Sequence, residues 1–320
     1  MRSVAYAAAA AEAVREEFRR NDKLIYLATD LQPELRREFG EARVRITPIS
    51  ESVFVGTAIG LAGSGYPAIA DLRMATFGFV AMDQMVNQAA KITYMFGGQT
   101  RFPILIRMAF GAGMHWAAQH SITPYSMYMN VPGLKIILPT TAYDIKGLLK
   151  AAIRDNNPVI SFEHSLLGQL AGEVPEEDYT IPFGRADIKK KGSDVTVVGL
   201  SRMVHETLAA AEELEGQGIS VEVVDPRTLV PLDVETIRRS VAKTGRLVVV
   251  DEACRTCSAA AEIVSLICED GATFARLKSA PRRVCGLDIP IPYSPPMEQF
   301  ALPDREKIIA AVRETLNTKL

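Results

Sequence analysis

Cysteine is scarce in this sequence, with four in 320 residues. Four thiols do not make a disulfide framework for a chain of this length, so a reducing cytoplasm is the expected compartment. An excess of charge of either sign is missing too. The formal net charge of −2, with 23% of residues charged, argues against a nucleic-acid or membrane-surface role. No apolar run reaches the length of a membrane span. A secretory h-region is absent: residues 7–13 are alanine-rich, but Glu12, Arg15, Glu16 and Glu17 turn the stretch into an amphipathic helix. With 48% hydrophobic residues, the composition is that of an ordinary globular protein long enough for two domains.

What is present is organised around Thr47-Pro48-Ile49-Ser50-Glu51 and the nearly uncharged run 52–62 behind it. The run reads as a buried helix opened by Ser50. Gly56, Ala58, Gly60 and Ala62 strip it of bulk so that another element can pack closely. A glutamate at the head of such a helix is partly desolvated and must be paired, hydrogen-bonded or functional; it also simply suits the helix dipole. Around this stretch, strands are expected at 24–28, 44–46, 67–72, 103–107, 134–138 and 159–163, and helices at 3–20, 33–39, 77–95 and 142–154. The alternation predicts an α/β fold with a mostly parallel sheet covered on both faces. Charges and prolines gather over 172–191, which marks a linker. A second α/β unit follows, with strands at 195–199, 220–224, 246–251 and 284–286 and helices at 205–217, 233–243, 259–270 and 305–316; residues 290–296 read as an extended proline-rich loop. The expected domains are 1–185 and 186–320.

Candidate chemistry lies at strand ends. Asp30 closes the first strand, and the loop 110–120 carries His115, Trp116, Gln119 and His120 beside Gly111 and Gly113, where parallel sheets gather ligands. Other motifs carry a bland reading. Cys254-Arg-Thr-Cys257 follows a strand, but no second CxxC or paired histidines lie at ligand spacing, so a buried structural pair is favoured over a redox or zinc site. Cys268 and Cys285 read as core positions. Asp225-Pro-Arg227 reads as a turn, Gly111-x-Gly113 is too short for a phosphate loop, and His164 and His205 have no obvious partners. Spacing alone names no reaction.

Taken together, TPISE (47–51), AMDQMVNQAAK (81–91), QHS (119–121), PGLKIILP (132–139), DIKGLLKAAIRDNNPV (144–159), EHSLL (163–167), VDPRTLVPLD (224–233) and PYSPPMEQFALP (292–303) resemble the beta subunit of the decarboxylating component of 2-oxo acid dehydrogenase complexes. That family includes pyruvate, branched-chain 2-oxo acid and acetoin systems and uses thiamine diphosphate. The resemblance implies a pyrimidine-binding domain followed by a transketolase C-terminal-like domain. It matches Glu51 to the carboxylate that hydrogen-bonds the aminopyrimidine and so promotes loss of the thiazolium proton. It matches Phe77 to the aromatic packed on the pyrimidine, Ile49 to the backbone contact beside it, and His120 to the histidine near the substrate. Ile104, Ala152, Ile153, Asp155 and Asn157 match positions whose carbonyls hold a potassium ion in some members.

The family's diphosphate grip, a GDG followed by paired asparagines that bind Mg²⁺, is missing: Asn156-Asn157 lies upstream of Asp270-Gly271, in the wrong order. The resemblance therefore implies an alpha subunit that holds Mg²⁺ and the diphosphate, a two-plus-two heterotetramer, and a lipoyl acyltransferase core as further partner. There are departures. The segment 29–33 is short, so Asp30 stands in only approximately for an acidic dipeptide. Arg73 replaces an apolar residue near the cofactor, His115-Trp116 replaces a glycine-rich loop, and Asn130 stands where histidine is frequent. Arg73 and His115 then bind a substrate carboxylate or phosphate, or form salt-bridged structure. The rival readings are a split transketolase-like enzyme that moves a two-carbon unit, and a non-enzymatic assembly module.

Overall fold

The computed structural model describes residues 1–318. It divides into two compact units, one of Met1–Phe110 with Met127–Phe183, the other of Gly111–Ser126 with everything from Gly184 onward. In the first unit the strands run in the order Lys135–Ile137, Val159–His164, Ile104–Phe110, Ala68–Met74, Ile25–Ala28, Val44–Ile46, each parallel to its neighbour. The central strands are buried along nearly their whole length, which is why they read as continuous apolar runs. The helices Tyr6–Arg20 and Ala142–Ile153 pack together over a core that includes Phe18, Tyr26, Leu105, Leu148 and Leu149. Thr141 and Asp144 close a capping box at the start of the second helix.

The helix Glu51–Gly63 packs against the strands Ala68–Met74, Ile104–Phe110 and Ile25–Ala28. A Cβ at Gly56 would come within 3.1 Å of Gln84 Oε1, and one at Gly63 within 3.0 Å of the Phe102 ring, so close approach explains both. Gly60 has no neighbour within 4 Å and faces open space. Ser50 occupies the N-cap position, yet its side chain makes no capping bond.

The helix expected over 77–95 is three segments: a 3₁₀ turn Ala75–Phe79, a π-helix Asp83–Ala89 and an α-helix Ala90–Met95. Side-chain spacing reports periodicity over a window and misses such changes of winding. Within the first unit, two strands escaped the sequence reading. Arg2–Ala5 pairs antiparallel with Ala171–Val174, at opposite ends of the first unit's sequence. Pro295–Ala301 is a helix with proline in its first turn, where the missing N–H costs nothing, so the loop over 290–296 ends in a helix start.

The second unit is a five-stranded sheet in the order Arg282–Gly286, Leu247–Cys254, Val195–Gly199, Val221–Asp225, Asp187–Lys190. Only the last strand is antiparallel, and it lies within the stretch read as linker. The core gathers Val195, Val197, Val248 and Val250 against helices Met203–Glu215 and Arg305–Asn317, each buried side chain of this size contributing about 1.5–3 kcal/mol. Cys268 and Cys285 are half-buried and not core, and Cys254 and Cys257 are exposed and not a buried pair. The Asp225-Pro-Arg227 turn is present, closed by Arg227 N–H to Asp225 Oδ1 at 2.9 Å.

Candidate active site

In the first unit, a half-buried charged cluster lies across the central strands, built on Asp71, Arg107 and Glu163. Tyr26 donates to Asp71 Oδ2 at 2.5 Å. Arg107 forks onto Glu163 at 2.8 and 2.6 Å, and its other nitrogen reaches Tyr26 at 3.3 Å. Ser161 adds a bond to Glu163 at 3.0 Å. Burial, reinforced by the Asp71 carboxylate, pushes the Tyr26 phenol well above its ordinary range, so Tyr26 is a donor at any working pH. Burial alone would lower Arg107, but Glu163 and its neighbours hold it charged. Asp71, Arg107 and Glu163, with Asp30 and Arg73, line a cavity of about 180 Å³.

Arg73 and Asp30 form an ion pair at the rim of this cavity. Arg73 sits at φ +66°, with its N–H turned back onto Asp71 Oδ1 at 3.0 Å. The register between the strands Ala68–Met74 and Ile104–Phe110 shifts here, and that bulge re-aims the arginine toward the strand ends.

Glu51 heads its helix at 6% exposure and makes no hydrogen bond or ion pair to any described residue. Ile49, in the turn before it, is 84% exposed. Phe77 is half-buried in the 3₁₀ turn. A Cβ at its neighbour Gly78 would lie 2.7 Å from Tyr128 Oη and 2.9 Å from Met108 Sδ, so those two buried side chains would have to shift to admit one. Glu51 and Phe77 are not among the residues lining the 180 Å³ cavity. At the end of helix Ala142–Ile153, Asp155 accepts from Asn157 N–H at 2.8 Å and faces Lys135 Nζ at 2.5 Å, while Ala152 O accepts from Asp155 N–H at 3.3 Å. Ile104 opens its strand, fully buried.

The loop carrying the histidines belongs to the second unit. His115 Nδ1 bonds Glu298 Oε2, and Gly113 N–H donates to Glu298 Oε1 at 2.8 Å. Ala112 N–H and Thr123 Oγ1 reach Glu252 Oε1 at 2.7 and 3.3 Å. His115 and Ala117 both take positive φ, so the loop is tightly wound around these anchors. His120 ends the short helix Ala117–His120, half-buried. His164 is a core histidine with partners: its Nδ1 accepts from Leu166 N–H at 3.2 Å and its ring meets Phe110 edge-on. Sequence reasoning missed Arg107 and Asp71 in the first unit and Glu252 and Glu298 in the second. The available signal was a charge inside an otherwise apolar strand, or a carboxylate in a proline-rich segment, each demanding a buried partner. No helix among the described residues is long and apolar enough to cross a membrane.

Comparison with known proteins assigns the class. Residues 2–169 match the transketolase pyrimidine binding domain and residues 184–308 the transketolase C-terminal domain, so this is a two-domain transketolase-type chain. A solved split gene transketolase, described as an inactive beta4 tetramer, shares the fold at TM-score 0.82 and 23% identity, covering 99% of each chain. The acetoin:2,6-dichlorophenolindophenol oxidoreductase subunit beta of Bacillus subtilis (strain 168) is 44% identical over 282 residues, 88% of this chain and 82% of the relative. The 2-oxoisovalerate dehydrogenase subunit beta of the same organism is 41% identical over 313 residues, 94% of this chain and 95% of the relative. The chain belongs to the family of beta subunits of thiamine diphosphate-dependent 2-oxo acid and acetoin dehydrogenases.

Proposed function

We propose that this chain is the beta subunit of a thiamine diphosphate-dependent 2-oxo acid dehydrogenase, which oxidatively decarboxylates a 2-oxo acid and passes the acyl group to a lipoyl group at a site shared with an alpha subunit. The observation that carries the reading is Glu51: a carboxylate 6% exposed, at a helix head, with no partner among the described residues. Its carboxylate is left available to a ligand, and a protonated ring nitrogen is the partner its family position calls for. Bound thiamine diphosphate supplies a carbanion equivalent and an electron sink.

Glu51 would hold the aminopyrimidine in the tautomer that accepts the thiazolium proton. Phe77 would stack on that ring, and the Ile49 main chain would border it. Asp30 and Arg73, as an ion pair at the cavity rim, would shape the cofactor side of the site. His120 would carry protons to and from substrate or receive the lipoyl arm. His115, tethered by Glu298, would flank the substrate. With no GDG in the sequence, the grip on Mg²⁺ and diphosphate falls to the alpha subunit. A two-plus-two heterotetramer in the cytoplasm, docked on a lipoyl acyltransferase core, completes the reading, with domains meeting at 185/186. Residues Ala152, Ile153, Asp155 and Asn157 lie at and just beyond a helix C-terminus, where the dipole favours a cation, and with Ile104 they would bind potassium, as the family resemblance implies.

The test is to purify the chain with the alpha partner encoded beside it and follow reduction of an artificial acceptor with pyruvate, branched 2-oxo acids, acetoin and a ketose phosphate as alternative substrates. Turnover of a 2-oxo acid, with acyl transfer to a free lipoyl domain, is expected. Acetoin turnover alone would move the substrate within the family. Two-carbon transfer from the ketose phosphate without lipoyl, or tight binding of thiamine diphosphate and Mg²⁺ by the chain without its partner, would sink the proposal.

A further inference from the structure

The Cys254–Cys257 pair is left unused by the proposed function. Cys254 ends the strand Leu247–Cys254, and Cys257 immediately precedes Ser258, whose Oγ caps the helix Ala259–Glu269 by accepting from Ala261 N–H. Both cysteines are exposed and both are free thiols. Between them the chain turns, with Cys257 at φ +53°.

The turn is pinned in place. Thr256 donates its N–H and hydroxyl to Asp288 at 3.0 and 2.7 Å. Arg255 N–H reaches Gly286 O at 3.1 Å, and Arg255 and Arg283 exchange guanidinium-to-carbonyl bonds at 3.2 and 2.8 Å. The chain bends at Arg255 and turns over Thr256 and Cys257, so the two thiols lie three positions apart on either side of that bend. A metal does not account for the pair: among the described residues no group of three or more His, Cys, Asp or Glu side chains is placed to hold an ion.

We propose that Cys254 and Cys257 form a reversible thiol–disulfide site that exchanges with small disulfides. Cys257, carried on the turn, makes the first attack; burial, with the Asp288 carboxylate adding to it, pushes the Cys254 thiol up. Cys257 Sγ, as thiolate, attacks one sulfur of an external disulfide R–S–S–R. The S–S bond of the reagent breaks, one RS⁻ leaves, and a Cys257–S–S–R mixed disulfide remains. Cys254 Sγ then gives its proton to solvent, attacks Cys257 Sγ and expels the second RS⁻. The two departing thiolates take up the two protons given up by the protein. Two protein thiols are thereby oxidised to one disulfide while one external disulfide is reduced to two thiols. Cys285 stays outside the exchange: burial pushes its thiol up to about 11, and its Sγ lies 3.9 Å from Ser258 Oγ.

The full chain in its native assembly, purified reduced, is incubated with oxidised glutathione, quenched with an alkylating reagent and read by intact mass and tryptic mapping. Trypsin cuts after Arg255, so the disulfide is read as two peptides joined through Cys254 and Cys257. The expected result is the loss of those two alkylatable thiols with no glutathione retained. Cys254→Ser should trap glutathione on Cys257, whereas Cys257→Ser should react at least about tenfold more slowly. A wild-type chain that keeps every thiol alkylatable, holds glutathione as a stable adduct, or crosslinks through Cys285 overturns the proposal. The wild-type map decides the matter by itself, so the outcome does not hang on the folding of either variant.

Discussion

Glu51 and Glu298 are both buried carboxylates with opposite bookkeeping. Glu51 has no side-chain partner among the described residues, so nothing in the folded free chain is lost when its charge is removed. Glu51→Gln should therefore leave the melting temperature of the free chain unchanged or raised, while turnover of the assembled enzyme falls by about 10²-fold or more. Calorimetry beside a steady-state assay checks both halves; a variant that loses stability and activity together makes Glu51 a structural residue. Glu298 is fully buried and accepts from Gly113 N–H and His115. Glu298→Ala removes the acceptor of both; His115 is 44% exposed and turns to water, so the cost falls on the half-buried Gly113 N–H at about 1–3 kcal/mol, read by urea unfolding. The first case was legible in sequence, because helix start, proline turn and apolar run lie within a dozen residues. The second was not. His115 and Glu298 are 183 positions apart, and no local pattern announces which carboxylate a loop histidine will find.

Between elements, the contact of helix Tyr6–Arg20 with helix Ala142–Ile153 is edged by charge. Lys146 and Lys150 are fully buried along their stems and meet Glu16, with Lys146 Nζ 2.6 Å from Glu16 Oε1. Arg154 bonds Glu17 at 2.6 Å and Asp178 at 2.9 Å. Hydrogen bonds from Arg154 and then Lys150 hold Asp178 down at about 2. Glu12 and Glu16 are also held below their usual range, against the opposing effect of burial, by bonds from Arg2, Lys146 and Lys150. The folded values lie below the unfolded ones, so this stabilisation is complete above about pH 5 and is lost as pH falls toward 2. Melting curves should drop over that window, and Lys150→Met should make the acid limb shallower; an unchanged limb would detach the network from acid stability. Salt should reduce the effect, since Asp178 is more than half exposed.

Glycine supplies a second test on this scale. Gly133 sits at φ +102°, and a Cβ there would fall 1.9 Å from Ala90 O. Gly133→Ala combines a strained backbone with a clash against main chain, and should cost about 3 kcal/mol or more, measured by denaturant unfolding. Most elements were readable from periodicity, within a few residues. The π-helix Asp83–Ala89 and the strand pair Arg2–Ala5 with Ala171–Val174 were not, because winding and distant edge pairing leave no spacing signal.

At the scale of the whole chain, sequence order and compact units disagree in one segment. Gly111–Ser126 groups with the second unit, and it arrives carrying partners for buried acids. Tyr125 donates to Asp251, which also accepts from the Ala253 and Ala260 N–H groups at 2.9 and 3.1 Å. Ala112 N–H serves Glu252 at 2.7 Å, and Gly113 N–H serves Glu298 at 2.8 Å. Burial already pushes the Asp251 carboxyl up, and without Tyr125 that group is driven further toward the neutral form. A fragment beginning at residue 184 matches the C-terminal domain of the family but lacks this segment. Such a fragment should melt earlier and less cooperatively than the full chain, each lost partner exposing a buried carboxylate at about 1–3 kcal/mol. Fusing residues 111–126 to it through a flexible linker should recover much of the loss, and Tyr125→Phe in the fusion should remove part of that recovery. Near-ultraviolet circular dichroism melts of the three proteins distinguish the outcomes. Cooperative melting of the bare fragment at the temperature of the full chain would mean that the second unit closes its own acid sites and that the borrowed segment is an attachment without structural weight.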